Sequence, residues 1–75
     1  MSRIQFEEYR TIVDETDPSN VYVGRAALTS SRLVTAPIWQ IMKIETAGTI
    51  EEVKYAGGSN DFKFIWDDRA TIIYS

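Results

Sequence analysis

The sequence contains no cysteine and no histidine. Without cysteine there is no disulfide and no thiolate metal site. Without histidine the commonest metal ligand and the commonest general base are both missing. Basic charge is scarce as well: 8 Lys and Arg stand against 11 Asp and Glu, unclustered, with a pI of about 4.7. A nucleic-acid-binding domain normally carries a basic face and a pI above ~9, so the balance speaks against sequence-independent DNA or RNA binding. No apolar run approaches the ~18–20 residues of a membrane span. The opening Met1-Ser2-Arg3-Ile4-Gln5 lacks the apolar stretch of ~7–15 residues that a secretory signal needs. The expectation is a cytoplasmically made protein with no membrane, nucleic-acid, metal or cofactor partner.

What is present is one short domain, residues 1–75. A core of this size seldom gives more than ~3–5 kcal/mol without staples, and the usual staples are absent. Stability then has to come from well-made packing or from assembly, which points to a homo-oligomer or a subunit docked on something larger.

Residues 3–14 fit two periods. Ile4 and Phe6 alternate as in a strand, while Phe6, Tyr9 and Val13 follow a helix stripe. The β-branched Thr11-Ile12-Val13 favours strand over 9–14, with 3–7 extended and residues 1–9 serving as an N-terminal arm. Asp17-Pro18-Ser19-Asn20 is turn chemistry, and Val21–Ala26 reads as the returning strand. Gly24 within it marks a bulge or a close approach of another backbone. Ala27–Thr35 is a hydroxyl-rich connection long enough to serve as a contact loop.

The largest patterned unit runs from Ala36 to Gly58. A helix is conceivable, capped by Thr35 with Pro37 in its first turn, Ile38, Ile41, Met42 and Glu45 on one stripe, and Gly48 at its end. A hairpin turning within Thr46–Thr49 explains both halves at once and is preferred. Its first strand carries an anomaly: Trp39 and Ile41 share one face, Met42 and Ile44 the other. Either both faces are covered or a bulge near Met42–Lys43 flips the phase. After Gly57-Gly58, a single helical turn is expected near 61–66, capped by Asn60 or Asp61. A final strand over 70–75 would place Ala70, Ile72 and Tyr74 on one face. The sum is an all-β fold, a small antiparallel sandwich or barrel of five to six strands.

Residues typed for chemistry are few. Asp67-Asp68 could in principle hold a divalent cation or act as acid and base. Neighbours in an extended segment point to opposite faces, so one Asp pairing with Arg69 or capping a turn is the better reading. Gly57-Gly58 lacks the lysine and spacing of a phosphate loop and reads as a turn. Thr29-Ser30-Ser31 has no histidine to activate a hydroxyl. Glu7-Glu8 and Glu51-Glu52 read as solvated faces. Trp39 and Trp66, with Tyr22, Tyr55, Phe62, Phe64 and Tyr74, could stack on a sugar or base, but in a chain this short they are first of all core. Nothing here points to an enzyme.

Three stretches carry a resemblance: Tyr22-Val23-Gly24-Arg25-Ala26, then Trp39-Gln40-Ile41-Met42-Lys43-Ile44, then Tyr55-Ala56-Gly57-Gly58 with Phe62 and Trp66-Asp67-Asp68-Arg69-Ala70. In this order they resemble short proteins encoded by tailed bacteriophages, with the form Y-x-G-x-A, W-x-I-x-x-I and F-x-x-x-W-D-D-R-A. The likeness spans residues 21–75. It departs at Phe62-Lys63-Phe64-Ile65, where such proteins more often read F-D-x-(I/V). The resemblance implies a virion component, a capsid decoration (cement) protein or head–tail accessory, acting on itself or on major capsid or neck proteins. Candidate contact residues are Leu28, Leu33 and Val34 in the connection, Met42 on the two-faced strand, and Ile4 and Phe6 in the arm. Trp39, Trp66, Asp67, Asp68 and Arg69 form the structural motif. The alternatives are a regulatory module that binds a host protein and, more distantly, a sugar- or receptor-binding tail piece.

Overall fold

A computed structural model of the chain describes residues 9–27 and 33–75. Four antiparallel strands follow one another as a meander: β1 (Tyr9–Asp14), β2 (Asn20–Ala27), β3 (Pro37–Ala47) and β4 (Ile50–Tyr55). A short β5 (Phe64–Ile65) pairs with the first part of β3 and runs into a 3₁₀ turn, Trp66–Asp68. The all-β, five-stranded antiparallel fold is as the sequence implies. The strands form an open sheet, and its second layer is the C-terminal segment rather than another sheet. Ile4, Phe6 and Leu28, with the expected extended segment 3–7, lie outside the described residues.

β3 is the spine because it alone among the described strands pairs with three others. β2 lies along its Gln40–Glu45, β4 along its Met42–Ala47, and β5 along its Pro37 and Trp39. The 36–48 segment is therefore strand and not helix, as its Ile, Trp and Thr content favours. Its turn is tighter than Thr46–Thr49: Ala47 pairs with Ile50, leaving Gly48-Thr49 as a two-residue connection. Gly48 takes φ 66° and Thr49 has negative φ, the pattern of a type II′ hairpin turn, which wants glycine first. The β1–β2 turn is closed by Asp17, whose carboxylate accepts from the Ser19 N–H and the Asn20 side-chain amide, each at 3.0 Å.

The register from Gln40 to Ala47 is unbroken, and the bulge sits between Pro37 and Trp39. No phase flip occurs at Met42–Lys43. Trp39 and Ile41 therefore face one side of the sheet while Met42 and Ile44 face the other.

Trp39, Ile41, Ala26, Ala56 and Trp66 form the core, with Ile12, Tyr22, Val34, Ile38, Phe64, Ile72 and Tyr74 packed against it. The two indoles meet at 6.1 Å between ring centres, tilted by 47°. Gly24 is in regular register, so it marks no bulge; the close approach it permits is by a ring, not by a backbone. A Cβ at Gly24 would lie 2.5 Å from Trp66 Cε3 and 3.0 Å from Ile12 Cγ2. β2 thus supplies a cradle without a side chain for Trp66.

Two expected elements are corrected. The helical turn starts at Trp66, five residues later than expected, and has no side-chain cap, because residues 64–65 are drawn into pairing with β3 first. Residues 70–75 do not make a strand. The Asp68 carbonyl accepts from both the N–H and the hydroxyl of Thr71 at 2.9 Å, which continues the turn past Arg69. Ala70 is consequently exposed, and only Tyr74 bridges the sheet, opposite Ala56.

Gly24→Ala should destabilise the domain by about 1–3 kcal/mol through overpacking, although alanine suits a strand better than glycine. Gly48→Asn meets no atom within 4 Å but takes a positive φ that side chains rarely adopt, so it should cost about 1–2 kcal/mol through backbone strain alone. Urea unfolding checks both variants, and a Gly24→Ala loss below about 0.5 kcal/mol, the range of a surface substitution, would remove the cradle from the account.

Candidate functional site

The register assigns every strand residue to a face. Ile12, Tyr22, Gly24, Ile41 and Trp39 line the face beneath the C-terminal segment. On the opposite, outer face, Val13, Val23, Met42 and Tyr55 form one row across all four strands, and Val21, Ile44 and Val53 form the next. None of these seven belongs to the core cluster. Val13 is 49% exposed and Val53 54%, with the others half-buried.

One end of the outer face is closed. Arg25 sits opposite Gln40, its guanidinium 4.3 Å from the centre of the Tyr9 ring. Tyr9 stacks on Phe62 at 5.5 Å and 12°. The Gln40 amide donates to the Asn60 carbonyl at 2.9 Å, so the 57–63 connection folds over this corner. Gly57 and Gly58 make the reversal that sends it there, both with positive φ. Gln40 is buried, and its Oε1 has no partner among the described residues. The other end carries Thr46 opposite Glu51. Between the two ends lies the apolar surface.

Charge is distributed in the reverse of the usual one-wet-face sheet. Lys43 and Lys54 both reach Glu45, at 3.2 and 3.1 Å, on the side that carries the core. Hydrogen bonds from Lys54 and then Lys43 hold the Glu45 carboxyl below its ordinary range. Among the described strand residues, the outer face carries only Arg25 and Glu51 as charged groups, and neither forms an ion pair with a described residue.

The Trp66-Asp67-Asp68-Arg69 motif is on the core side and is structural. The Asp67 N–H donates to the Val34 carbonyl at 3.0 Å, tying the turn to the segment before β3. Arg69 does not pair with either neighbouring aspartate. Its guanidinium lies 4.6 Å from the Trp66 ring centre and bonds Asp14 of β1 at 3.0 Å. The reason is direction: in the 3₁₀ turn Asp67 and Asp68 point to water, while Arg69 turns back over the sheet. Tyr74 donates its hydroxyl to the Arg69 carbonyl at 2.8 Å, and burial foremost pushes that phenol's pKa up.

Of the residues expected at a contact surface, Met42 lies in the middle of the outer face. Leu33 is 60% exposed but elsewhere, with its carbonyl accepting from Trp39 Nε1 at 3.1 Å. Val34 packs on the core and is no surface residue. Val13, Val21, Val23 and Val53 were not singled out by sequence, and Ile44 and Tyr55 stood out there only as the second face of β3 and as an aromatic, not as contact residues. The signal was present: a two-residue turn at Gly48-Thr49 sets Met42 opposite Tyr55 and Ile44 opposite Val53 by counting alone.

Among the described residues there is no pocket and no cluster of three acidic side chains able to hold a metal. The chain matches no family model, no curated protein and no solved structure.

The Asp14–Arg69 pair predicts an acid limb. The Thr16 hydroxyl and N–H, and then Arg69, lower the Asp14 carboxyl from 3.8 to about 2. A carboxyl depressed on folding stabilises above its unfolded value, and that contribution fades as pH falls through the folded one. Asp14→Asn should lower stability at neutral pH and flatten the profile between about pH 4 and pH 2. Urea midpoints measured across that range test this, and an unchanged acid limb would remove the pair from the account.

Proposed function

We propose that the chain is a non-enzymatic structural subunit of a tailed-phage particle, a capsid decoration or head–tail accessory protein that acts through protein–protein contacts. The observation that carries the reading is the outer sheet face, with seven apolar side chains in two adjacent rows. Contiguous apolar surface on a small domain marks an interaction site. A sheet face suits a flat protein partner better than a small molecule, which wants a concave, mostly apolar pocket. The resemblance of the Y-x-G-x-A, W-x-I-x-x-I and W-D-D-R-A stretches to short phage proteins supplies the setting. The protein would be made in the host cytoplasm and end in the virion, with itself or a capsid or neck protein as its contact.

Peptide mass spectrometry of washed particles of the encoding phage should find the chain, in many copies for a decoration protein and few for a connector. Its absence from washed particles would overturn the virion assignment in favour of a host-binding module. Val53→Lys, on the edge strand and already half exposed, should leave the fold intact and reduce incorporation at least about tenfold, since a charge buried without a partner costs well over the ~1.4 kcal/mol of one decade.

A further inference from the structure

We propose that the outer face is covered by the same face of a second copy of this chain, related by a twofold axis, so that two open sheets close into one sandwich. This deepens the reading of the outer face as a contact surface and rests on it. The choice of a second copy comes from how the two outer-face charges are placed.

Along β3 the outer-face rows are those of Gln40, Met42, Ile44 and Thr46. Arg25 lies in the first and Glu51 in the last. The two are three rows apart along the strands, roughly 20 Å, and two strands apart across them, roughly 10 Å. The midpoint between them falls on β3 between Met42 and Ile44, at the centre of the apolar rows. A twofold axis in the plane of the interface, through that point and perpendicular to the line joining the two charges, brings each Arg25 opposite the other copy's Glu51. The same operation places Met42 close to the partner's Ile44 and crosses the apolar rows of the two copies obliquely over one another. Isologous interfaces need this kind of self-complementarity, in which a patch fits itself after rotation. Stacked sheets lie ~10 Å apart, a gap that an arginine and a glutamate reaching towards each other can span.

Size is in keeping. Leaving out the closed Gln40 row, four strands at ~4.8 Å spacing and about six residues of length give a face of roughly 400 Å² in projection. Corrugated by side chains, this approaches the ~600 Å² per partner at the low end of specific interfaces. A sandwich also takes Met42, Ile44 and Val53 out of water, where the isolated sheet leaves them partly wet.

Sedimentation velocity of the full chain over a range of concentrations should show a species of twice the 8.6 kDa monomer. Arg25→Glu alone and Glu51→Arg alone should each weaken that dimer by roughly tenfold or more, because like charges then meet at both ends. The double variant, Arg25→Glu with Glu51→Arg, should recover it. Val53→Lys should abolish it while far-UV circular dichroism stays unchanged. A chain that remains monomeric at every concentration overturns the second copy. If Val53→Lys nevertheless reduces incorporation into particles, the outer face stands as a contact for a different protein. If it does not, that face has no role in contacts at all. A dimer that survives Val53→Lys and both single charge reversals uses another surface and equally overturns the proposal.

Discussion

The contact on which the structure depends is the Trp66 indole packed against Gly24. Only five hydrophobic side chains among the described residues are buried outright, and two of them are tryptophans in mutual contact. Truncating a buried tryptophan costs about 3–5 kcal/mol, as much as a core of this size supplies in total. The sheet can accept that ring because β2 offers no side chain at Gly24 and only a methyl at Ala26. The rest of the C-terminal segment holds the ring in place. The Asp67 N–H bonds the Val34 carbonyl, Arg69 stacks on the indole while reaching Asp14, and Tyr74 closes on the Arg69 carbonyl. The motif that looks most like chemistry in the sequence, two aspartates and an arginine, is the clamp on the core.

Once the C-terminal segment has been committed to one face, nothing comparable remains among the described residues for the other. The 57–63 connection covers one corner, where Phe62 meets Tyr9 and Asn60 takes the Gln40 amide. The Lys43–Glu45–Lys54 cluster sits on the core side at the rim of the cap, with the Lys43 ammonium 5.7 Å from the Tyr74 ring centre. Charge that would ordinarily make an outer sheet face soluble has gone to the wrong side for that purpose. The apolar outer rows are thus a consequence of how a short chain spends its few covering residues.

Much of this was legible in the sequence because it depends on local chemistry and counting. The hairpin over 36–58, the Asp17–Asn20 turn and the return strand at Gly24 follow from turn residues and β-branched runs. The apolar content of both faces of β3 follows from strict alternation. What was not legible depends on distant contacts. Arg69 has two adjacent carboxylates in sequence, yet its partner is Asp14, brought close only when β1 and the 3₁₀ turn meet on the core face. Val34 looks like a loop hydrophobe until the turn at Asp67 pins its backbone to the core. The 70–75 segment has strand composition, but the Asp68–Thr71 bonds use up the residues that would have started a ladder. The outer rows lay between these cases, since only Met42 and Ile44 could be named before β2, β3 and β4 were set in register.

A sheet with open edges and an open face can associate in two ways, and the sequence treats them differently. β1 and β4 are the edges. β4 carries Glu51, Glu52 and Lys54 along six residues, and β1 carries Arg10 and Asp14. Charged side chains on edge strands are a recognised defence against edge-to-edge pairing. At one end of β4 the edge is also occupied, since Tyr55 exchanges both backbone hydrogen bonds with Ser75 at 3.1 Å. The outer face has no such defence across its middle rows, and its two charges are of opposite sign at opposite ends. A chain that guards its edges and leaves a face apolar has the arrangement that the proposed stacking requires. The anomaly in β3, apolar side chains on both sides, is then one strand with two faces: Trp39 and Ile41 hold the domain together, and Met42 and Ile44 are the face that the proposed contact uses.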